Sequence, residues 1–165
     1  MKVDMEETFH LRHGEVWMRR LTKAGGEAKE LVQRAVDWMF PMTIEWFGLP
    51  DALKRHSGQL GYKLKALTND QLRQTWMAST VPLCEQLGLN APAHWDEQRG
   101  EYVLEYPFPC QYDVADKRWA FDAGEISWDD VFKRWKGRGP MNEIYVESIQ
   151  RSRGDVGRWL NGKVA

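Results

Sequence analysis

Glycine punctuation cuts the first half of this chain into three segments of helical period, so the fold has to be built by packing helices together. From the N-terminus, Phe9, Val16 and Leu21, with Trp17 between them, recur near 3.6 residues with no capping signal ahead of them. The chain is therefore expected to begin inside a helix. Lys23-Ala24-Gly25-Gly26 stops it, and a second helix from about Glu27 sets Leu31, Ala35, Trp38 and Met39 on one side. Pro41 is expected to bend or end that helix, because proline lacks the N–H donor and its ring clashes with the preceding turn. Gly48-Leu49-Pro50-Asp51 forms the next turn. A third helix spans about Asn69 to Leu87, opened by Thr68 or Asn69 and closed by Gly88, with Leu72, Trp76, Ser79 or Thr80, Leu83 and Leu87 as its inner face. The short connections predict antiparallel neighbours.

From Pro92 to Phe121 the helical period disappears. Glu101 to Tyr106 alternates like a short strand after a turn at Arg99-Gly100, which predicts a small hairpin confined to roughly Trp95–Tyr106. Pro107 to Tyr112 is proline-rich and is expected to be a surface loop. Ser127 opens a short helix to about Trp135, Lys136 to Pro140 breaks it, and a last helix carries Ile144, Tyr145, Ile149 and Val156 toward Trp159. No internal repeat or low-complexity tract interrupts residues 1–165, which are expected to form a single domain with a hairpin and loop insert at about 92–121.

Composition narrows the partners. Leu, Ile, Val and Phe account for 35 of 165 residues, so the nine Trp, seven Met and five Tyr have to complete the core. Trp17, Trp38, Trp76 and Trp159 all fall on expected inner faces, which makes packing a better account of them than carbohydrate or base stacking. The 23 basic and 24 acidic residues nearly cancel, leaving no general field for nucleic acid. No apolar run is long enough for a membrane span or signal peptide. Cys84 and Cys110 have neither C-x-x-C nor metal-ligand spacing, which suits a reducing, cytoplasmic setting.

One segment has the pattern of a metal site. Glu7 and His10 lie three apart, so on a helix a carboxylate oxygen and an imidazole nitrogen project from one face toward one ion. Chance spacing of the Glu and His in this composition yields about 0.3 such pairs, so the pattern competes with an ordinary surface pair. His13, near Glu15, is expected to be solvent-exposed, and His56 and His94 sit in turn-like contexts without a carboxylate at ligand spacing. Lys133 to Gly139 is a basic turn with the makings of a phosphate cradle, and a solvated helix end accounts for it better.

Several segments, in order, resemble one family. Glu6-Glu7-Thr8-Phe9-His10-Leu11-Arg12-His13-Gly14 resembles the second Glu-x-x-His helix of the catalytic A subunit of phenylacetyl-CoA epoxidases, the monooxygenases of phenylacetic acid catabolism. Leu67 to Gln74, Thr80-Val81-Pro82 with Leu87-Gly88, Gly124 to Trp128, and Gly137-Arg138-Gly139 with Asn142 resemble later segments of that protein. The resemblance runs from about Lys2 to Ser152.

The resemblance implies an all-α, ferritin-like helical bundle, here partial, with a small β-hairpin and an irregular C-terminal insert. It implies a di-iron centre that activates O2 for epoxidation of the aromatic ring of a CoA thioester, with Glu7 and His10 as iron ligands. Electrons would come from a separate flavin and iron–sulfur reductase, and a sister structural subunit would pack beside the catalytic one. Family members are about twice as long, and their N-terminal half supplies the first Glu-x-x-His helix, whereas this chain has no second one. The chain is thus expected to be the C-terminal half of a catalytic subunit, truncated or naturally split, whose site is completed by the missing N-terminal half or a second chain. The alternative is a non-catalytic helical scaffold subunit of the same kind of complex. Residues 107–121 are expected to be an insertion.

Overall fold

The computed structural model describes residues 2–54, 58–136, 148–149 and 151–152, with side chains from residue 5 onward except those of residues 58 and 59. Contacts divide the chain into two units, residues 1–125 and 126–165. The first unit runs α1 (Lys2–Ala24), α2 (Gly26–Trp46), a 3-10 turn (Asp51–Leu53), α3 (Gly58–Gly61), α4 (Asn69–Gln86), β1 (Ala93–Asp96), β2 (Glu101–Leu104), β3 (Cys110–Asp113) and β4 (Arg118–Glu125). It is mostly helical.

The ends of α4 follow from local chemistry. Thr68 and Gln71 form a reciprocal capping box, the Thr68 hydroxyl accepting the Gln71 N–H at 3.2 Å and the Gln71 side chain accepting the Thr68 N–H at 2.9 Å. At the other end Gly88 adopts φ +63°, and Leu89 N–H reaches back to the Cys84 carbonyl at 2.9 Å, a Schellman closure that needs glycine at this position. Both boundaries agree with the sequence reading. The buried face does not: Asn69, Arg73, Met77, Val81 and Cys84 turn inward, while Leu72, Trp76, Thr80, Leu83 and Leu87 are half-buried and Ser79 is exposed. Arg73 is drawn in because its guanidinium finds the Gly48 carbonyl at 2.7 Å and the Asp70 carboxylate at 2.6 Å, so a long cation is satisfied where an apolar residue was expected.

A second correction concerns α2, which does not end at Pro41 but runs on to Trp46, and whose buried face is not the expected one. It buries Val32, Phe40, Pro41, Ile44 and Glu45, leaving Leu31, Ala35, Trp38 and Met39 exposed. The third is the β portion, which makes the chain other than all-α. Besides the expected hairpin β1–β2, residues of the supposed irregular insert form an antiparallel hairpin β3–β4, with Tyr112 opposite Trp119. The prolines end before Cys110, where pairing begins, and Pro109 and Cys110 are fully buried rather than looped over the surface. Among the described residues each sheet has two strands.

The main core joins Phe40 and Ile44 of α2, Met77 and Val81 of α4, and Ala93, Tyr106, Cys110 and Trp119 of the β portion. A smaller one packs Met18 of α1 on Val32, Cys84 and Leu89. Burial of such side chains contributes about 1.5–3 kcal/mol each. In the second unit Ser127 caps α5 (Trp128–Lys136), its hydroxyl accepting the Asp130 N–H at 3.2 Å. The break at residues 137–140 and the positions Asn142, Ile144, Tyr145, Val156 and Trp159 lie outside the described residues, as does His56; residues 148–149 and 151–152 are helical. No helix among the described residues is long and apolar enough to cross a membrane.

Candidate functional site

The site is built on the N-terminal half of α1. Every described side chain from Met5 to Trp17 is exposed, and the own-chain packing of this helix begins only at Met18 and Thr22. Glu7 and His10 stand on that half, one helical turn apart and both exposed. Among the described residues neither makes a hydrogen bond or an ion pair, so both donor groups are available to a ligand.

Their surroundings are aromatic. Phe9 and His13 stack with ring centroids 5.8 Å apart, His13 meets Trp17 edge-on at 6.2 Å, and the Arg20 guanidinium lies 5.7 Å from the Trp17 ring. The ladder Phe9–His13–Trp17 follows i, i+4, i+8 along the helix. His13 is exposed as expected, while Trp17 and Trp38, expected inside, are 47% and 46% exposed. Trp76 does pack, its ring 4.9 Å from Phe40. His94, expected in a turn, lies on strand β1 and pairs with Glu105, just past β2, at 3.0 Å, both side chains exposed; among the described residues it joins no metal-like cluster.

A carboxylate and an imidazole are suitable donors for iron, but two ligands do not hold it in this kind of centre. Among the described residues no cluster of three or more His, Cys, Asp or Glu side chains is assembled. The donor types therefore fit an iron site and their number does not; among the described residues the set is incomplete.

A separate buried polar cluster escaped the sequence reading. Glu45 and Arg73 are buried in the first unit beside Tyr106, whose phenol is pushed far above its ordinary value by burial and by the Glu45 carboxylate. The Trp38 carbonyl accepts the Trp119 indole N–H at 2.8 Å across 81 residues of sequence, a contact no local pattern encodes.

Comparison with known proteins adds the following. The profile of the family described as phenylacetic acid catabolic protein matches residues 1–128, a stretch that contains Glu7, His10 and both hairpins. The A subunit of the 1,2-phenylacetyl-CoA epoxidase of Escherichia coli K12 is 28% identical over 164 residues, covering 97% of this chain and 47% of that protein. The chain spans about half the length of this relative.

Proposed function

We infer the function from one premise, that the chain belongs to the phenylacetic acid catabolic protein family. We propose that it is a component of a multisubunit di-iron monooxygenase of phenylacetate catabolism that epoxidises the ring of an aromatic CoA thioester such as phenylacetyl-CoA. In this reading residues 1–165 act as one domain, a partial ferritin-like bundle, in the cytoplasm. Glu7 and His10 supply one carboxylate and one imidazole to the iron centre, and the remaining ligands come from an N-terminal half or a second chain. Iron, when bound, supplies the activation of O2. A separate reductase and a sister structural subunit complete the assembly.

The observation that supports this most is the isolation of Glu7 and His10 on a helix half that the described residues leave uncovered. A ligand pair on a bare helix face is the arrangement expected when the rest of the site approaches from another segment. A non-catalytic scaffold is the second reading, favoured by the exposed apolar residues Phe9, Val16, Trp17 and Leu21 on the same helix. Co-expression with the N-terminal half of the E. coli relative separates the two. Iron recovered in the assembled complex, and lost on His10→Ala, supports the catalytic reading; a stable complex without iron supports the scaffold.

A further inference from the structure

A cleft of about 330 Å³ opens between α2 and the β3–β4 hairpin, on residues that Glu7 and His10 do not share. That volume is at the low end of the range of small-molecule pockets, about 300–1,000 Å³. Trp119 is buried at the cleft, and its indole bond to the Trp38 carbonyl ties hairpin to helix, so the walls are held together. The half-exposed indole of Trp38 and the half-buried ring of Phe121 give it two aromatic surfaces.

The charges around these rings are unequally engaged. Arg118 is paired with Asp116 at 3.0 Å, and Asp37, the lining carboxylate, accepts the Gln33 amide at 2.7 Å. Arg34 and Lys117 make no hydrogen bond or ion pair among the described residues. Lys117 also sits at φ +54°, a left-handed conformation that favours glycine or asparagine. The turn's own hydrogen bonds, from the N–H groups of Ala115 and Asp116 to the Asp113 carboxylate, do not use the lysine side chain. Two unengaged cations in a cleft that Trp38 and Phe121 also line match a ligand that is planar at one end and multiply anionic at the other.

We propose that this cleft binds a purine nucleoside phosphate, with the base against Trp38 and the phosphate against Arg34 and Lys117. The same chemistry is presented by a free mononucleotide and by the phosphorylated adenosine end of a CoA thioester. Only the second source rests on the function proposed above.

The test is titration of the full chain with AMP, adenosine 3′,5′-bisphosphate and adenosine, followed by calorimetry and tryptophan fluorescence. Saturable binding of a phosphorylated ligand is expected, with adenosine at least about 10-fold weaker. Arg34→Ala and Lys117→Gly, the latter compatible with the turn's backbone, should each weaken it about 5-fold or more, whereas Arg99→Ala on the other hairpin should leave it unchanged. Circular dichroism of each variant confirms its fold. Tighter binding of the bisphosphate assigns the site to a CoA-type ligand, and tighter binding of AMP assigns it to a free nucleotide. Absence of saturation to about 10 mM, or equal affinity of wild type and Lys117→Gly, overturns the proposal. Iron content plays no part in this readout, so the proposal and the metal reading fail separately.

Discussion

The side-chain amide of Gln74 pairs with both backbone groups of Tyr102, donating to its carbonyl at 2.9 Å and accepting its N–H at 2.8 Å, so that helix α4 continues the hydrogen bonding of strand β2. Gln33 of α2 does the same for Asn90, at 2.9 and 2.8 Å. Two glutamines thus fasten the helices to the chain that leads into and through the first hairpin.

Gln74→Ala removes both bonds at a part-buried strand edge and should cost about 1–2 kcal/mol. Thermal unfolding should show a midpoint lowered by several degrees, with Thr75→Ala, on the exposed face, close to wild type. An unchanged midpoint in Gln74→Ala would mean that water replaces the clasp without loss.

A pH effect follows from Asp51. Its carboxylate is held well below its ordinary value of 3.8 by the Thr68 hydroxyl, by Lys54, and by the N–H groups of Asp70 and Asn69. A depressed carboxylate stabilises the fold above its ordinary value and loses that contribution as pH falls toward its folded value. Denaturant titrations should therefore show stability falling below about pH 4, and Asp51→Asn should be less stable near neutrality by about 1 kcal/mol, with a flatter acid limb.

The bare half of α1 should make the isolated chain self-associate, because Phe9 and Trp17 are 65% and 47% exposed. Analytical ultracentrifugation should find association that Phe9→Glu and Trp17→Glu each reduce. A wild-type chain that stays monodisperse at high concentration would count against a covering partner on this helix.

How far the fold was legible depended on where its determinants lie. Thr68, Gln71 and Gly88 act within a few residues of themselves, so the limits of α4 could be read directly. Its inner face could not, because Asn69 and Arg73 are buried through bonds to Leu49, Gly48 and Asp70, and hydrophobic period gives no weight to a satisfied polar residue. In α2 two apolar stripes compete, and Phe40 and Ile44 win over Trp38 and Met39 because α4 and the β portion, distant in sequence, pack over them. The β3–β4 hairpin was hidden by Pro107 and Pro109 just before it. Glu7 and His10 were visible as a spacing, since helical geometry fixes their common face. Arg34 and Lys117 were not, because only the tertiary fold places a residue of α2 beside a turn more than eighty positions later.

Iron per assembled complex measures most directly whether Glu7 and His10 are ligands. With the complementary N-terminal half of the E. coli relative supplied, the complex should hold about two irons per site, and His10→Ala should lose at least one of them. Glu7→Ala should lose more iron than Glu6→Ala, because Glu6 is turned from the Glu7–His10 face by about 100° of helix rotation. Full iron retention in His10→Ala, or equal losses from the two glutamates, would contradict the assignment.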